Sequence, residues 1–544
     1  MGESLIADPG RVQWELARFH ERGLDVTEEP GSNGATVITT RLTIVDAEIE
    51  IRAVLPRDYP DVSPLFYAEA GLLARHQHPQ GGNLCVAGEG EWWPWRSVAQ
   101  IVDEEVRDLL TTSHLDPEAI AANEADMPEP LTAMFPYRNQ AVVLVPDPLW
   151  NADAGPGRGA LLLESVPGRA ALRLATSASG LGAIESALRQ RVIFGQGQVQ
   201  RGFWVQLDPP PAPDVSDVIS RARAAYPELE KRLRFTAGSA QPATVVVGAR
   251  FTEEGPRRGE HRVAWLFADV VQRRRHQPVV HLTRAQALTK TERVRRIPEL
   301  IALADASAVI VGAGSVGSPV ALELTRAGMG TLHIYDNDFY DVNNSVRHTL
   351  SVSEAGTAKA TAVAQQCASM NPFVDVVAHT ETVGNQSDEE AALLVDRISH
   401  AAAVIDTTGM PSVSRLLQRA ANAAGVPLIT AGLTAGGFGA EVLISRPGGP
   451  CRDCFALTQR DASVPTPIAT AESTVTPVGC NDPAFIGAGF EASELAAVVA
   501  RTCVGLIPST TYPPADFDWM VLNFRTRKPR AQGPLEVHPD CQRH

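Results

Sequence analysis

Cysteine is scarce in this 544-residue chain. There are seven: Cys85, Cys367, Cys451, Cys454, Cys480, Cys503 and Cys541. So few, and an odd number, exclude a disulfide-stapled scaffold and suit a reducing, cytoplasmic setting, where thiols act as metal ligands, nucleophiles or core filler. No run of about 18 or more apolar residues occurs, so no membrane-spanning helix is expected. Met1–Gly10 has no basic start followed by an apolar stretch, so no secretory leader is expected either. Basic charge is also short. Lys and Arg number 48 against 63 Asp and Glu, a net charge of −15. That leaves no basic surplus to release counterions from a nucleic-acid backbone.

The composition supplies an ordinary core: 44% hydrophobic and 20% charged residues. At roughly 150 residues per domain, the length predicts several domains. Residues 1–125 read as a small α+β domain. Val12–Glu21 and Ser97–Leu110 carry apolar residues at helical spacing, and Thr36–Leu42 and Glu48–Val54 read as paired strands. Residues 126–298 give weaker signals. Gln140–Val145, Ala160–Glu164, Thr244–Phe251 and Arg262–Phe267 look like strands, and no chemical motif stands out, so a β-rich connecting or docking region is expected. Residues 299–544 alternate strictly. Apolar strands at Ala308–Val311, Thr331–Tyr335, Val374–Ala378, Ala402–Ile405 and Pro427–Thr430 are separated by helical stretches, as in a doubly wound α/β sheet.

Gly312-Ala313-Gly314-Ser315-Val316-Gly317 follows one such strand and opens a helix. Glycines there permit a tight turn and let a phosphate approach backbone N–H groups at the helix N-terminus. The next strand ends in Asp336, placed to accept from ribose hydroxyls. Asn344, Arg347, Lys359 and Asp406 follow, at positions that open α/β sheets bring to the carboxyl ends of their strands. One Arg, one Lys and one Asp converging there suit a triphosphate with Mg²⁺ better than a dinucleotide.

The runs Ile334-Tyr335-Asp336-Asn337-Asp338, Asn343-Asn344-Ser345-Val346-Arg347, Gly356-Thr357-Ala358-Lys359, Met370-Asn371-Pro372 and Val404-Ile405-Asp406-Thr407-Thr408 resemble the ThiF/MoeB/ubiquitin-activating adenylyltransferases. The resemblance implies a Rossmann-like domain that adenylates the C-terminal carboxylate of a ubiquitin-fold protein. It further implies that Asp336 holds ribose, that Asn344, Arg347 and Lys359 hold phosphates, and that Asp406 holds Mg²⁺. Relatives commonly carry a second Asp shortly after; this chain has Gly409. The family commonly dimerises, sometimes with an arginine supplied in trans, for which Arg293, Arg295 and Arg296 are candidates.

Cys451-Arg452-Asp453-Cys454 follows a Pro-Gly-Gly-Pro turn, and the tail offers Cys541-Gln542-Arg543-His544, with His538 as a substitute. Two such pairs can hold one structural Zn²⁺. The family closes its zinc site with two cysteines near the C-terminus; here the last ligand would be His544.

Two thiols remain as nucleophiles. Cys480 lies in a Ser/Thr/Pro-rich stretch that resembles the crossover loop of the activating family, placed to attack an acyl-adenylate. Cys85 lies in a series of Tyr59-Pro60, Pro64, His76-Gln77-His78-Pro79-Gln80-Gly81-Gly82-Asn83-Leu84-Cys85, then Trp92, Trp93, Pro94 and Ser97. That series resembles the ubiquitin-conjugating fold. Its His-Pro-polar motif ends in Gln80 where the family usually has Asn, and either Gln80 or Asn83 can supply an amide to an oxyanion. Cys367 and Cys503 sit on apolar helix faces and read as core.

Together these resemblances imply a cytoplasmic fusion of an activating and a conjugating enzyme. It would move a protein C-terminus from adenylate to Cys480, to Cys85, to a target amine. Such fusions are similar to those of bacterial ubiquitin-like systems, including anti-phage operons of the CBASS type, where the transferred protein can be a nucleotidyltransferase. Two other readings stay open: a sulfur-carrier adenylyltransferase of the thiamin or molybdopterin type with an N-terminal binding module, and a non-catalytic adaptor.

Overall fold

The computed structural model describes residues 9–73, 75–86, 90, 92–113, 128–153, 157–193, 195–229, 231, 243–272, 276–468, 487–526 and 530–543. The chain divides into two compact units, Met1–Ile184 with Gly197–Ala287, and Leu288–His544 with the inserted segment Glu185–Gln196. The expected boundary at residue 298 therefore moves. Residues 288–298 join the second unit, where the helical turn Pro298–Asp305 buries Leu303 in that unit's core. Among the described residues, no helix is long and apolar enough to cross a membrane.

The first unit opens with helix α1 (Pro9–Glu21). An antiparallel meander follows: β1 (Val26–Pro30), β2 (Thr36–Ile44), β3 (Ala47–Leu55) and β4 (Leu65–Tyr67). On β3, Ile49, Ile51, Ala53 and Leu55 point inward and alternate with more exposed residues, the period-2 pattern of a half-buried strand. Phe19 of α1 covers that face. So do Val98, Ile101, Val102, Val106 and Leu110, from the continuous helical stretch formed by Val98–Gln100, Ile101–Val106 and Arg107–Ser113. Ser97 caps this stretch by accepting from the Gln100 N–H.

The same unit continues into β5 (Tyr137–Pro146), β6 (Arg158–Val166), β7 (Arg169–Ala178), β8 (Gly182–Ala183), β9 (Val199–Gln206), β10 (Ala243–Glu254), β11 (His261–Gln272) and β12 (Val279–Leu288). The sheet runs β5-β12-β11-β10-β9-β6-β7-β8, and β5 also pairs in parallel with β7, so it closes on itself. The β-rich connecting region thus takes the form of a closed barrel. Closure removes the edges that an open sheet would leave unpaired. Trp204, Trp265, Phe267, Leu161 and Val143 fill the inside, and helix α2 (Val215–Ala225) covers the opposite face of β9–β11 through Val218, Ile219 and Ala222. Arg173 makes a bidentate pair with Asp269 at 2.6 and 2.8 Å, on the same strand faces as the interior aromatics.

In the second unit the sheet order is β15-β14-β13-β16-β17-β18-β19-β20. The strands are β13 (Ser307–Val311), β14 (Thr331–Tyr335), β15 (Asp375–His379), β16 (Ala403–Asp406), β17 (Leu428–Leu433), β18 (Gly439–Ser445), β19 (Trp519–Asn523) and β20 (Arg530–Gly533). β15 to β17 are parallel and the last three antiparallel. Helices α3 (Gly317–Ala327), α4 (Lys359–Met370) and α8 (Gly489–Gly505) cover one face. Helices α5 (Asp388–Ser399) and α6 (Pro411–Ala424) cover the other. This is the expected doubly wound arrangement, with α7 (Arg452–Arg460) beside β18. Cys367 and Cys503 are both 0% exposed in its core.

Candidate functional site

The glycine turn between β13 and α3 is built by close approach. Gly312 has φ +94°, a conformation that side chains disfavour. A Cβ on Gly317 would lie 1.8 Å from the Gly312 carbonyl oxygen, whereas one on Gly314 would meet nothing within 4 Å. Gly317 is therefore glycine for packing, and Gly314 leaves open space over the turn. Thr407, from the turn after β16, donates to the Gly312 carbonyl at 2.8 Å. Val311, Gly312, Gly314, Tyr335, Asp336, Asp338, Glu381, Thr407 and Thr408 line a pocket of about 260 Å³ at the carboxyl ends of the strands.

Asp336 accepts from the Ala313 N–H at 2.6 Å and from the Asp338 N–H at 2.9 Å. Burial raises its pKa despite those bonds and the nearby Lys359. Lys359, the first residue of α4, pairs with Asp338, whose side chain is 65% exposed. Asn344 closes a capping box with Asp341, and burial lowers the pKa of Arg347. Gly489 at the start of α8 donates to the Val346 carbonyl at 3.2 Å, which packs that helix start against the Arg347 loop.

Asp406 needs a correction. It is 0% exposed; Oδ1 accepts from the Thr408 N–H at 3.0 Å and its hydroxyl at 2.7 Å, and Oδ2 accepts from Ser414 at 2.5 Å. The side chain stands behind the pocket lining and fastens the β16–α6 turn. That does not fit a direct Mg²⁺ ligand; the carboxylates that line the pocket are Asp336, Asp338 and Glu381.

Two residues of this site escaped the sequence. His348 contacts the Ala313 carbonyl through Nε2 at 2.7 Å and accepts from the Leu350 N–H on Nδ1, so the proton sits on Nε2 and the ring ties the Arg347 loop to the glycine turn. Burial pushes its pKa down to about 4. Glu381, just past β15, keeps Oε2 buried without a hydrogen-bond partner among the described residues.

In the first unit the Tyr-Pro and Trp-Pro turns converge on a buried carboxylate. Glu15 of α1, 0% exposed, accepts from the Tyr59 hydroxyl, from the Ser97 hydroxyl at 3.2 Å and from the Val98 N–H at 2.8 Å, and pairs with Arg11 at 3.0 Å. Trp92 donates to the Pro60 carbonyl at 2.7 Å. On this frame Cys85 is exposed, and its N–H donates to the His76 carbonyl at 2.7 Å. Desolvation of the sulfur, then the Glu129 carboxylate, raise the thiol pKa. The Gln80 amide donates to the Pro213 carbonyl at 2.6 Å. Asn83, two residues before Cys85, keeps its Oδ1 buried without a partner among the described residues.

Cys451, Cys454 and Cys541 come together, all buried, with Cys451 Sγ 3.8 Å from Cys454 Sγ and 3.7 Å from Cys541 Sγ. Those separations are far too long for a disulfide. They match the edge of a tetrahedron with Zn–S bonds of about 2.3 Å, roughly 3.8 Å. The donor set therefore fits zinc. Burial pushes Cys451 up to about 12, while Cys454, though desolvated, is held below the usual thiol range by backbone N–H groups of Cys451 and His538 and by the neighbouring thiols. His538 is not the substitute ligand. Its Nε2 meets Asp461 at 2.9 Å and its Nδ1 accepts from the Asp540 N–H. His544 and Cys480 lie outside the described residues.

Residues 292–528 match the model of the ThiF family. Two Sinorhizobium fredii proteins, uncharacterized proteins y4oA and y4qC, are similar along nearly the whole chain. The first is 27% identical over 95% of this chain and 92% of its own length, the second 26% over 97% and 95%. The sulfur carrier protein ThiS adenylyltransferase of Escherichia coli is 31% identical over 27% of this chain and 55% of its own length. The segment 292–528 is a ThiF-family domain.

Proposed function

We propose that the chain uses ATP to adenylate the C-terminal carboxylate of a ubiquitin-like protein or of a nucleotidyltransferase, and passes the acyl group through thiols to an amine. The observation that carries the reading is the joining, in one chain, of a ThiF-family nucleotide pocket with an exposed, motif-embedded Cys85. A carboxylate oxygen attacks the α-phosphorus of ATP and pyrophosphate leaves. The open space at Gly314 admits phosphate to backbone N–H groups, while Asn344, Arg347 and Lys359 supply a donor and two cations. Asp336 receives the ribose hydroxyls. Cys480 then attacks the acyl carbon and AMP leaves, and Cys85 takes the acyl group by thiol exchange. Cys451, Cys454 and Cys541, with His544 as the fourth donor, would hold zinc as a structural tie between α7 and the tail.

The chain acts in the cytoplasm as a homodimer, with Arg293, Arg295 or Arg296 contributed in trans, in a CBASS-type anti-phage system. ATP titration calorimetry tests the pocket. Lys359→Ala should weaken ATP binding at least about tenfold, a loss of ~1.4 kcal/mol, and unchanged affinity would contradict the phosphate role. The likeness to the ThiS adenylyltransferase supports a second reading, adenylation of a sulfur carrier with the first unit as a binding module. In that case Cys85 never carries an acyl group.

A further inference from the structure

We propose that Glu129 is the general base for aminolysis at Cys85, and that it makes the site selective for cationic, lysine-type amines. The inference rests on the acyl-carrying role proposed for Cys85.

Glu129 lies between Pro128 and Pro130, in the segment that leads from the first domain into the barrel. Its Oε1 accepts from the backbone N–H of His76 at 2.6 Å and lies 3.5 Å from His76 Nδ1. The carbonyl of that same His76 accepts from the N–H of Cys85 at 2.7 Å. One residue therefore links the carboxylate to the backbone of Cys85, and it is held at φ +60°, in the left-handed region. The Glu129 carboxylate, after desolvation of the sulfur, raises the Cys85 thiol pKa.

The segment is fastened from its other side as well. The Glu129 N–H donates to Glu254 Oε2 at 2.8 Å, and Glu254 pairs with Arg75 at 3.1 Å and with Arg258 at 2.6 Å. Arg75 and Arg258 thus spend charge on Glu254, whose pKa is held down to about 2 although desolvation opposes it. The side chain of Glu129 is 13% exposed, and its Oε2 takes no hydrogen bond among the described residues. A mostly buried carboxylate, tied through His76 to the backbone of Cys85, suits an ammonium group that must lose a proton before it can attack.

The incoming ammonium pairs with Glu129 and gives one proton to Oε2. The neutral nitrogen attacks the thioester carbonyl, and the C–N bond forms. The tetrahedral intermediate collapses, the C–S bond breaks, and its electron pair leaves on Cys85 Sγ. The second nitrogen proton passes to that sulfur, and Glu129 returns its proton to water.

The test uses the full chain acylated by a small-molecule probe, the mercaptoethanesulfonate thioester of acetyl-glycyl-glycine. Peptide mapping locates the acyl group on Cys85, and excess amine is then added at neutral pH. In the wild type, Nα-acetyl-lysine methylamide should discharge Cys85 about a hundredfold faster than in Glu129→Gln. Hydroxylamine, already neutral, should discharge both at nearly the same rate. Glu129→Asp should fall between them with lysine. Equal slowing with both amines would make Glu129 a structural residue, and no slowing with either would remove it from the reaction; each result overturns the inference alone. If the probe never acylates Cys85, the conjugating reading fails and the inference falls with it.

Discussion

Gly314 and Gly317 stand three residues apart and lack a side chain for different reasons. At Gly317 a methyl group would run into the Gly312 carbonyl, so Gly317→Ala should destabilise the second unit by about 2 kcal/mol or more, read as a lower thermal midpoint. At Gly314 the same methyl meets no protein atom. Gly314→Ala should therefore fold with little loss and weaken ATP binding by about tenfold or more, measured by calorimetry. His348 makes a prediction in pH. Its folded pKa of about 4 lies below the ordinary 6.5, so between those values the unfolded chain binds the extra proton. Stability is thus full above about 6.5 and is lost as pH falls towards 4. His379, also pushed down to about 4 by burial and then by Arg397, acts in the same direction. Denaturant midpoints measured across that window should fall with acid, and His348→Gln should flatten part of the slope. Single residues of this kind were the least legible in the sequence. Glu15, Glu129 and His348 act through partners brought near by the fold, and nothing local marks them.

The Cys451/Cys454 pair illustrates the element scale. The Pro-Gly-Gly-Pro turn delivers Cys451 as the residue before α7 and Cys454 in its first turn, and the tail returns Cys541 against them. The sulfur separations supply what residue spacing alone lacks, a donor geometry of zinc size. Freshly purified protein should contain about one zinc per chain. Cys541→Ser should lose it and lower the melting temperature, since metal binding and folding are coupled. Elemental analysis without zinc in the wild type would contradict the site. Elements of the second unit were legible because strands such as β13 and β16 are apolar on both faces and alternate with helices of clear period. Expected bounds missed by a residue or two, as at β15, which runs Asp375–His379 rather than Val374–Ala378. The barrel was not legible. Its closure depends on β5 reaching β7, a pairing that leaves no trace in either strand's own pattern.

At the scale of the whole molecule, similarity to y4oA and y4qC along nearly the full chain indicates that the first unit and the ThiF-family domain occur together in those proteins too. In the proposed relay, joining both parts in one chain would raise the effective concentration of the second thiol, so that transfer between thioesters would need proximity rather than fresh activation. In the proposed relay the order of the two thiols follows from the sequence, since Cys480 falls within the matched segment 292–528 and Cys85 does not. Cys480→Ala should therefore block loading of Cys85, whereas Cys85→Ala should trap the acyl group on Cys480. Normal loading of Cys85 in the first variant would reduce the relay to one thiol. The most direct measurement is intact-mass analysis, under non-reducing conditions, of the full chain co-expressed with its flanking genes and incubated with ATP. The relay predicts an ATP-dependent, thiol-cleavable protein adduct that maps to Cys85 and is absent from both Cys85→Ala and Lys359→Ala. An adduct that forms without ATP, or that survives unchanged in Cys85→Ala with nothing ever mapping to Cys85, would contradict it.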